Sequence, residues 1–229
     1  MSNAPTFGGA WTSEKLEILR RYLDAYTTAL KNQGFSLTYV DGFAGAGVYT
    51  ESSRDYQEFQ ELHEGSATIA LRIEDRLFDR LLFIEKDGQR VSQLRRLAEE
   101  SPRRAIDVVQ GDANDEVQKF CHEMQSYDRA VVFLDPFATE VSWSTVEAIA
   151  ATEKIDCWIL FPLMAVTRMM PTDEEPDERL KDHLDRIFGG RQFWEGEYRD
   201  SPQLSFLDIG PQRERTSGTK RIADAYRIR

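Results

Sequence analysis

The chain has 229 residues, 41% hydrophobic and 11% aromatic, enough for one generous domain with a real core. It carries 29 basic and 40 acidic side chains for a net charge of −11, which disfavours holding long nucleic acid by general phosphate attraction but allows a local basic groove. No apolar run reaches the ~18 residues of a membrane span, and no basic start followed by an apolar stretch marks a secretory signal, so a cytoplasmic location is expected.

In chain order, Leu16, Leu19, Leu23, Tyr26 and Leu30 form one apolar stripe, which predicts a helix over 12–33. The β-rich run 35–40 predicts a strand, and a glycine-rich turn follows at once. Residues 48–64 are polar and acidic and read as a surface insertion. Beyond them strand and helix alternate. Helices are expected over 67–76, 88–100, 114–126 and 144–151, and strands over 81–84, 105–109, 130–134 and 157–161. Continuously apolar strands are buried on both faces, so the expected fold is α/β and Rossmann-like, a mostly parallel sheet with helices on both faces. After Pro162 the pattern weakens. Residues 171–229 are expected as a C-terminal helical extension of a single domain spanning 1–229, with a helix over 178–188 and a basic helix within 211–229 that ends on an unfinished pattern, as in a truncated chain.

Cys121, Cys157, His63, His122 and His183 show no metal-ligand spacing and no disulfide framework, so no metal is expected and the cysteines suit a reducing cytosol. The chemistry gathers at strand ends, where open α/β sheets bind ligands. The first turn reads Asp41-Gly42-Phe43-Ala44-Gly45-Ala46-Gly47. Its glycines permit a tight turn and a close approach to a ligand. It lacks the Gly-Lys-Ser/Thr ending of a phosphate-binding loop and breaks the Gly-x-Gly-x-x-Gly spacing. It opens instead on an acid, which suits S-adenosylmethionine (SAM), a cofactor with an ammonium group and no phosphate. Glu85 ends the second strand, where an acid can accept both ribose hydroxyls; the lesser alternative is a solvated strand-end acid. Asp112, followed by Ala113, ends the third and is placed to accept from an adenine amine. Asp135-Pro136-Phe137 ends the fourth. There the acid can orient an acceptor amine, the proline fixes the turn and the ring can stack on a flat base, with Trp143 widening the platform.

Phe7-Gly8-Gly9-Ala10-Trp11-Thr12-Ser13-Glu14-Lys15-Leu16, Tyr39-Val40-Asp41-Gly42-Phe43-Ala44-Gly45-Ala46-Gly47, Phe83-Ile84-Glu85 and Phe133-Leu134-Asp135-Pro136-Phe137 together resemble the three-Cys-motif partner family, TcmP, over roughly residues 7–170. The resemblance implies a bacterial protein with a class I methyltransferase-like fold, SAM as cofactor and a partner protein bearing three cysteines. It implies a cofactor site of Asp41, Gly42, Phe43, Ala44, Gly45, Gly47, Glu85, Asp112, Ala113 and Lys15, and an acceptor site of Asp135, Pro136 and Phe137. Lys15 reads either as a neutraliser of a carboxylate near the cofactor or as a solvated helix residue, and Arg168 is a weaker candidate for an acidic substrate group. The base-amine methyltransferases of DNA and RNA carry Asp/Asn-Pro-Pro-Tyr/Phe, whereas this chain lacks the second proline and its aromatic sits one place earlier. The expectation is methyl transfer to a nitrogen of a nucleic acid or nucleotide base. The alternative is a non-catalytic or SAM-holding module of a bacterial defence or modification system.

Overall fold

The computed structural model describes residues 9–46, 65–200, 213–215 and 218–227. Gly47, the insertion 48–64 and the first two residues of the Phe7-Gly8 motif lie outside the described residues. The chain divides into two compact units, Met1–Leu134 with Thr152–Trp158, and Asp135–Ala151 with Ile159–Arg229.

The first unit is built on a sheet. Strand β1 (Ser36–Asp41) pairs in parallel with β2 (Arg80–Glu85) and β4 (Asp128–Leu134), and β2 pairs in parallel with β3 (Ile106–Gln110). With β5 (Ile155–Ile159) the order is β3-β2-β1-β4-β5, a Rossmann-like α/β sheet. The strands run outward one way from β1 to β3 and the other way from β4 to β5, so the β1–β4 pair marks the switch point. Asp41, the last residue of β1, and Phe133, one short of the end of β4, are register partners there.

Burial follows strand position. All but the first one or two residues of β1, β2 and β4 are buried, as continuously apolar runs require. The expectation of burial on both faces fails at the edges, where β3 exposes Asp107 and β5 exposes Asp156 and Cys157. Charges at sheet edges discourage further pairing, and Asp107 meets Arg80 Nε at 2.6 Å. Strand β5 also starts two residues earlier than expected. A turn with φ 53° at Glu153 feeds it, and Ala130 N donates to Lys154 O at 3.1 Å.

Helix α1 (Gly9–Leu30) buries Leu19 and Leu23 completely, each contributing about 1.5–3 kcal/mol. Its exposed pairs of Glu17 with Arg20 and Arg21 are screened by solvent and add little. Tyr22 on the same helix donates to the Asp156 carboxylate, and its ring lies 4.8 Å from that of Trp158. Helix α2 (Ser66–Leu71) stops short of the expected 76, because Arg104 Nη2 takes the carbonyls of Leu71 at 2.5 Å and Ile73 at 2.7 Å. Helices α3 (Gly88–Glu99) and α4 (Ala113–Glu123) are capped by Asp87 and Asp112.

The second unit holds α5 (Trp143–Thr152), α6 (Leu163–Met169), α7 (Glu178–Phe188), the strands β6 (Tyr198–Asp200) and β7 (Arg213–Arg215), and α8 (Thr219–Arg227). Its core joins Val166, Met170, Leu184, Ile187, Phe188 and Trp194. The region 171–229 thus carries a short antiparallel strand pair as well as helices. Among the described residues no helix is long and apolar enough to cross a membrane, and no group of His, Cys, Asp and Glu could hold a metal.

Candidate functional site

The turn after β1 is fastened from below. Asp41 is fully buried and accepts from Tyr39 Oη and from Phe43 N, both at 3.3 Å. Tyr39 reaches it because residues two apart share a strand face. The next amides also turn inward. Gly42 N donates to Phe133 O at 3.0 Å, Ala44 N to Ile84 O at 3.0 Å, and Gly45 N to Glu85 Oε2 at 3.0 Å. Four successive N–H groups are therefore engaged by the protein itself. Gly42 is needed for packing, since a Cβ there would meet Leu134 Cδ2 at 2.5 Å. Gly45 is needed for conformation: its φ is +63°, and no described atom lies within 4 Å of a Cβ built on it. Ala44 is buried and Phe43 half-buried.

Glu85 is the tie between turn and sheet. Its Oε2 accepts from Gly45 N, its Oε1 accepts from Asp87 N at 2.8 Å, and Arg90 Nη1 stands 3.9 Å from Oε2. A carboxylate offers about four acceptor positions, so these two amides leave room for hydroxyls. The Glu85 carbonyl also receives Gly111 N at 3.1 Å, which joins the ends of β2 and β3. Asp112 follows as the cap of α4. Its Oδ1 accepts from Asn114 N at 2.9 Å and Asn114 Nδ2 at 3.1 Å, and Lys86 Nζ lies 3.5 Å from Oδ2. Burial raises the Asp112 pKa, but the Asn114 amides and then Lys86 outweigh it and leave the carboxyl below its ordinary value. Ala113 is buried and comes within 3.7 Å of a Cβ at Gly42. Lys15 lies half-buried on α1.

The structure thus joins Asp41, the turn and Glu85 by hydrogen bonds. Asp135, Pro136 and Phe137 belong to the second unit. There Asp135 is half-buried, Pro136 is buried, and Phe137 is 98% exposed, an aromatic face open to solvent. Trp143 does not widen that face. It is buried, donates from Nε1 to Glu147 at 2.8 Å and meets Tyr226 edge-on at 5.4 Å. Of the later candidates, Arg168 is exposed.

Sequence reasoning missed three features here. Tyr39 beneath Asp41 was hidden in an apolar strand. Arg90 was signalled only by its place three residues past the capping Asp87. The contact of Thr139 with His183 spans 44 residues and leaves no local trace.

No family model matches the chain, and no curated protein does. Three of the solved structures that resemble it are as follows. Protein LPL1258 from Legionella pneumophila is 14% identical over 78% of this chain and 74% of its own, with a TM-score of 0.47. An rRNA methylase from Streptococcus thermophilus is 11% identical over 93% of this chain and 100% of its own, with a TM-score of 0.37. Trm1 from Pyrococcus horikoshii, solved with S-adenosyl-L-methionine, is 10% identical over 98% of this chain and 60% of its own, with a TM-score of 0.40. Likeness at this level bears on neither activity nor substrate; the strand order carries the fold.

Proposed function

We propose that the chain is a methyltransferase that draws its methyl group from SAM and delivers it to a nitrogen of a nucleic acid or nucleotide base. The observation that carries the reading is the inward engagement of every N–H from Gly42 to Gly45. A dinucleotide or a nucleoside triphosphate needs such amides free for its phosphates. A cofactor without phosphate needs none of them. The strand ends supply carboxylates instead, the partners that hydroxyls, an exocyclic amine and an ammonium group require. The residues present fit SAM on these grounds.

When bound, that cofactor supplies a methyl group on a sulfonium, and the protein supplies binding and orientation. Glu85 uses its remaining acceptor positions for ribose hydroxyls. Asp112, beside Ala113, uses Oδ2 for an adenine amine. Asp41, fully buried, acts through the turn by fixing Phe43 and the glycines around it. Lys15 pairs with a carboxylate of the cofactor. Asp135 accepts from the acceptor amine and keeps its lone pair directed, while the exposed Phe137 ring stacks on the base. The test is Asp135→Ala in an assay of labelled methyl incorporation into RNA and DNA. Turnover lost with SAM binding intact supports the role, and turnover retained removes it.

The motif set supports a narrower reading: a bacterial, cytoplasmic member of the three-Cys-motif partner family, working beside a protein with three cysteines. Two features favour a second reading, in which the chain is a SAM-holding partner module without turnover. They are the missing second proline after Asp135 and the net charge of −11. Co-purification with a cysteine-rich partner, without methyl incorporation into any acceptor, distinguishes it.

A further inference from the structure

Strand β1 ends in a buried chain of hydrogen bonds that starts at Tyr39. Tyr39 and Asp41 are both fully buried, and Tyr39 Oη donates to Asp41 Oδ2 at 3.3 Å. The second oxygen, Oδ1, accepts from Phe43 N at 3.3 Å. The Asp41 carboxylate therefore reaches two residues back along the strand and two residues forward into the turn, with one oxygen fixed at each end. A carboxylate can only accept, so both ties need a donor. The Tyr39 ring is itself held in place: it lies 5.8 Å from the ring of the buried Phe78, tilted at 52°. With Asp41 fully buried, bulk water replaces the Tyr39 hydroxyl poorly.

We infer that Tyr39 is a positioning residue: through Asp41 it fixes Phe43 and the turn that starts there, and this turn receives the amino-acid end of the cofactor. The ligand half of the inference rests on the proposed SAM site. Strand order β3-β2-β1-β4 sets the strand ends in a row. With adenine at Asp112 after β3 and ribose at Glu85 on β2, the next end along is the turn after β1. It meets what remains of SAM, the sulfonium and its amino-acid chain. Being fully buried, Tyr39 acts on that end only through the turn. The later turn amides are held by other groups, Ala44 N by the Ile84 carbonyl and Gly45 N by Glu85. Loss of the Tyr39 hydroxyl therefore loosens the start of the turn at Phe43, while Glu85 keeps its own ties to Gly45 N and Asp87 N. The consequence is selective: a weaker hold on the amino-acid end and an unchanged hold on the nucleoside.

The experiment is Tyr39→Phe in the full chain, read in two ways. Calorimetric titration compares S-adenosylhomocysteine with methylthioadenosine, which keeps the adenine, ribose and sulfur but lacks the amino-acid chain. The variant should bind the first about tenfold more weakly and the second within about twofold of wild type. Amide hydrogen exchange needs no ligand. Protection of the Phe43 amide should fall by more than that of Val40 in β1 and Ile84 in β2, which report global unfolding. In an Asp41→Ala background, adding Tyr39→Phe should change Phe43 no further relative to the strands, because the intermediary is gone. Equal losses for both ligands, no loss for either, or a Phe43 amide that loses no more protection than the strands overturns the inference. Should Tyr39→Phe fail to fold with the Asp41 charge short of a donor, the comparison moves to Asp41→Asn with and without Tyr39→Phe. That amide buries no charge, still accepts from Phe43 N and can donate to the Tyr39 oxygen, so the same losses are expected. A wild-type chain that binds neither ligand sinks the proposed cofactor, and the exchange comparison still decides whether Tyr39 holds the turn, so the two failures are distinct.

Discussion

Glu85 shows how one side chain can serve both a fold and a ligand. Its two oxygens hold Gly45 N and Asp87 N, and the residue is 8% exposed. A glutamine there offers one oxygen and sets its amide group against the second N–H. Glu85→Gln should lose about 1–3 kcal/mol of stability in urea unfolding, and its SAM affinity should fall with it. The two glycines fail for different reasons. Gly42→Ala drives a Cβ into Leu134 and should cost about 1–3 kcal/mol. Gly45→Ala has room but strains a positive φ, and should cost about 1–2 kcal/mol. In a Leu134→Ala background the added cost of Gly42→Ala should shrink while that of Gly45→Ala should not, which the same unfolding curves measure. The acids at 41, 85 and 112 were legible as letters at strand ends. That the amides of the turn point inward was not, because a glycine-rich turn is compatible with either direction of its N–H groups.

The elements were legible where the pattern is strongly periodic or continuously apolar. The stripe of α1 and the runs of β1, β2 and β4 correspond to buried faces in the structure. The edges were less legible. Asp107 sits inside β3, and Asp156 and Cys157 inside β5, because an edge strand tolerates exposed positions that a central one does not. Helix α6 follows Pro162 with too few residues for a period to register, and β6 and β7 have three residues each. Caps carry the clearest element-scale forecast. Asp112→Ala removes the acceptor for Asn114 N at the start of α4 and should cost about 1 kcal/mol. The native Asp112 carboxyl lies below its ordinary value of 3.8, so its contribution is full above that pH and is lost as pH falls through the native value. In acid titrations followed by circular dichroism, Asp112→Asn should therefore flatten the fall in stability below about pH 4.

At the scale of the whole molecule, charge and topology make separate statements. Strand order places a switch point at β1 and β4, where a ligand is expected. The net charge of −11 says that a nucleic-acid acceptor, if used, is recognised locally rather than held along its length. Random-sequence duplex DNA should accordingly bind more weakly than a Kd of about 10⁻⁴ M at physiological salt, with a shallow salt slope by fluorescence anisotropy. The central claim is that the edge at Asp41, Glu85 and Asp112 receives a nucleoside cofactor without phosphates. Its most direct test is calorimetric titration of the full chain with SAM, S-adenosylhomocysteine and NADH, repeated on Glu85→Ala. The first two should bind in the micromolar range, with binding abolished in the variant, and NADH should not bind. Binding of NADH, or no binding of SAM by a folded chain, would contradict it.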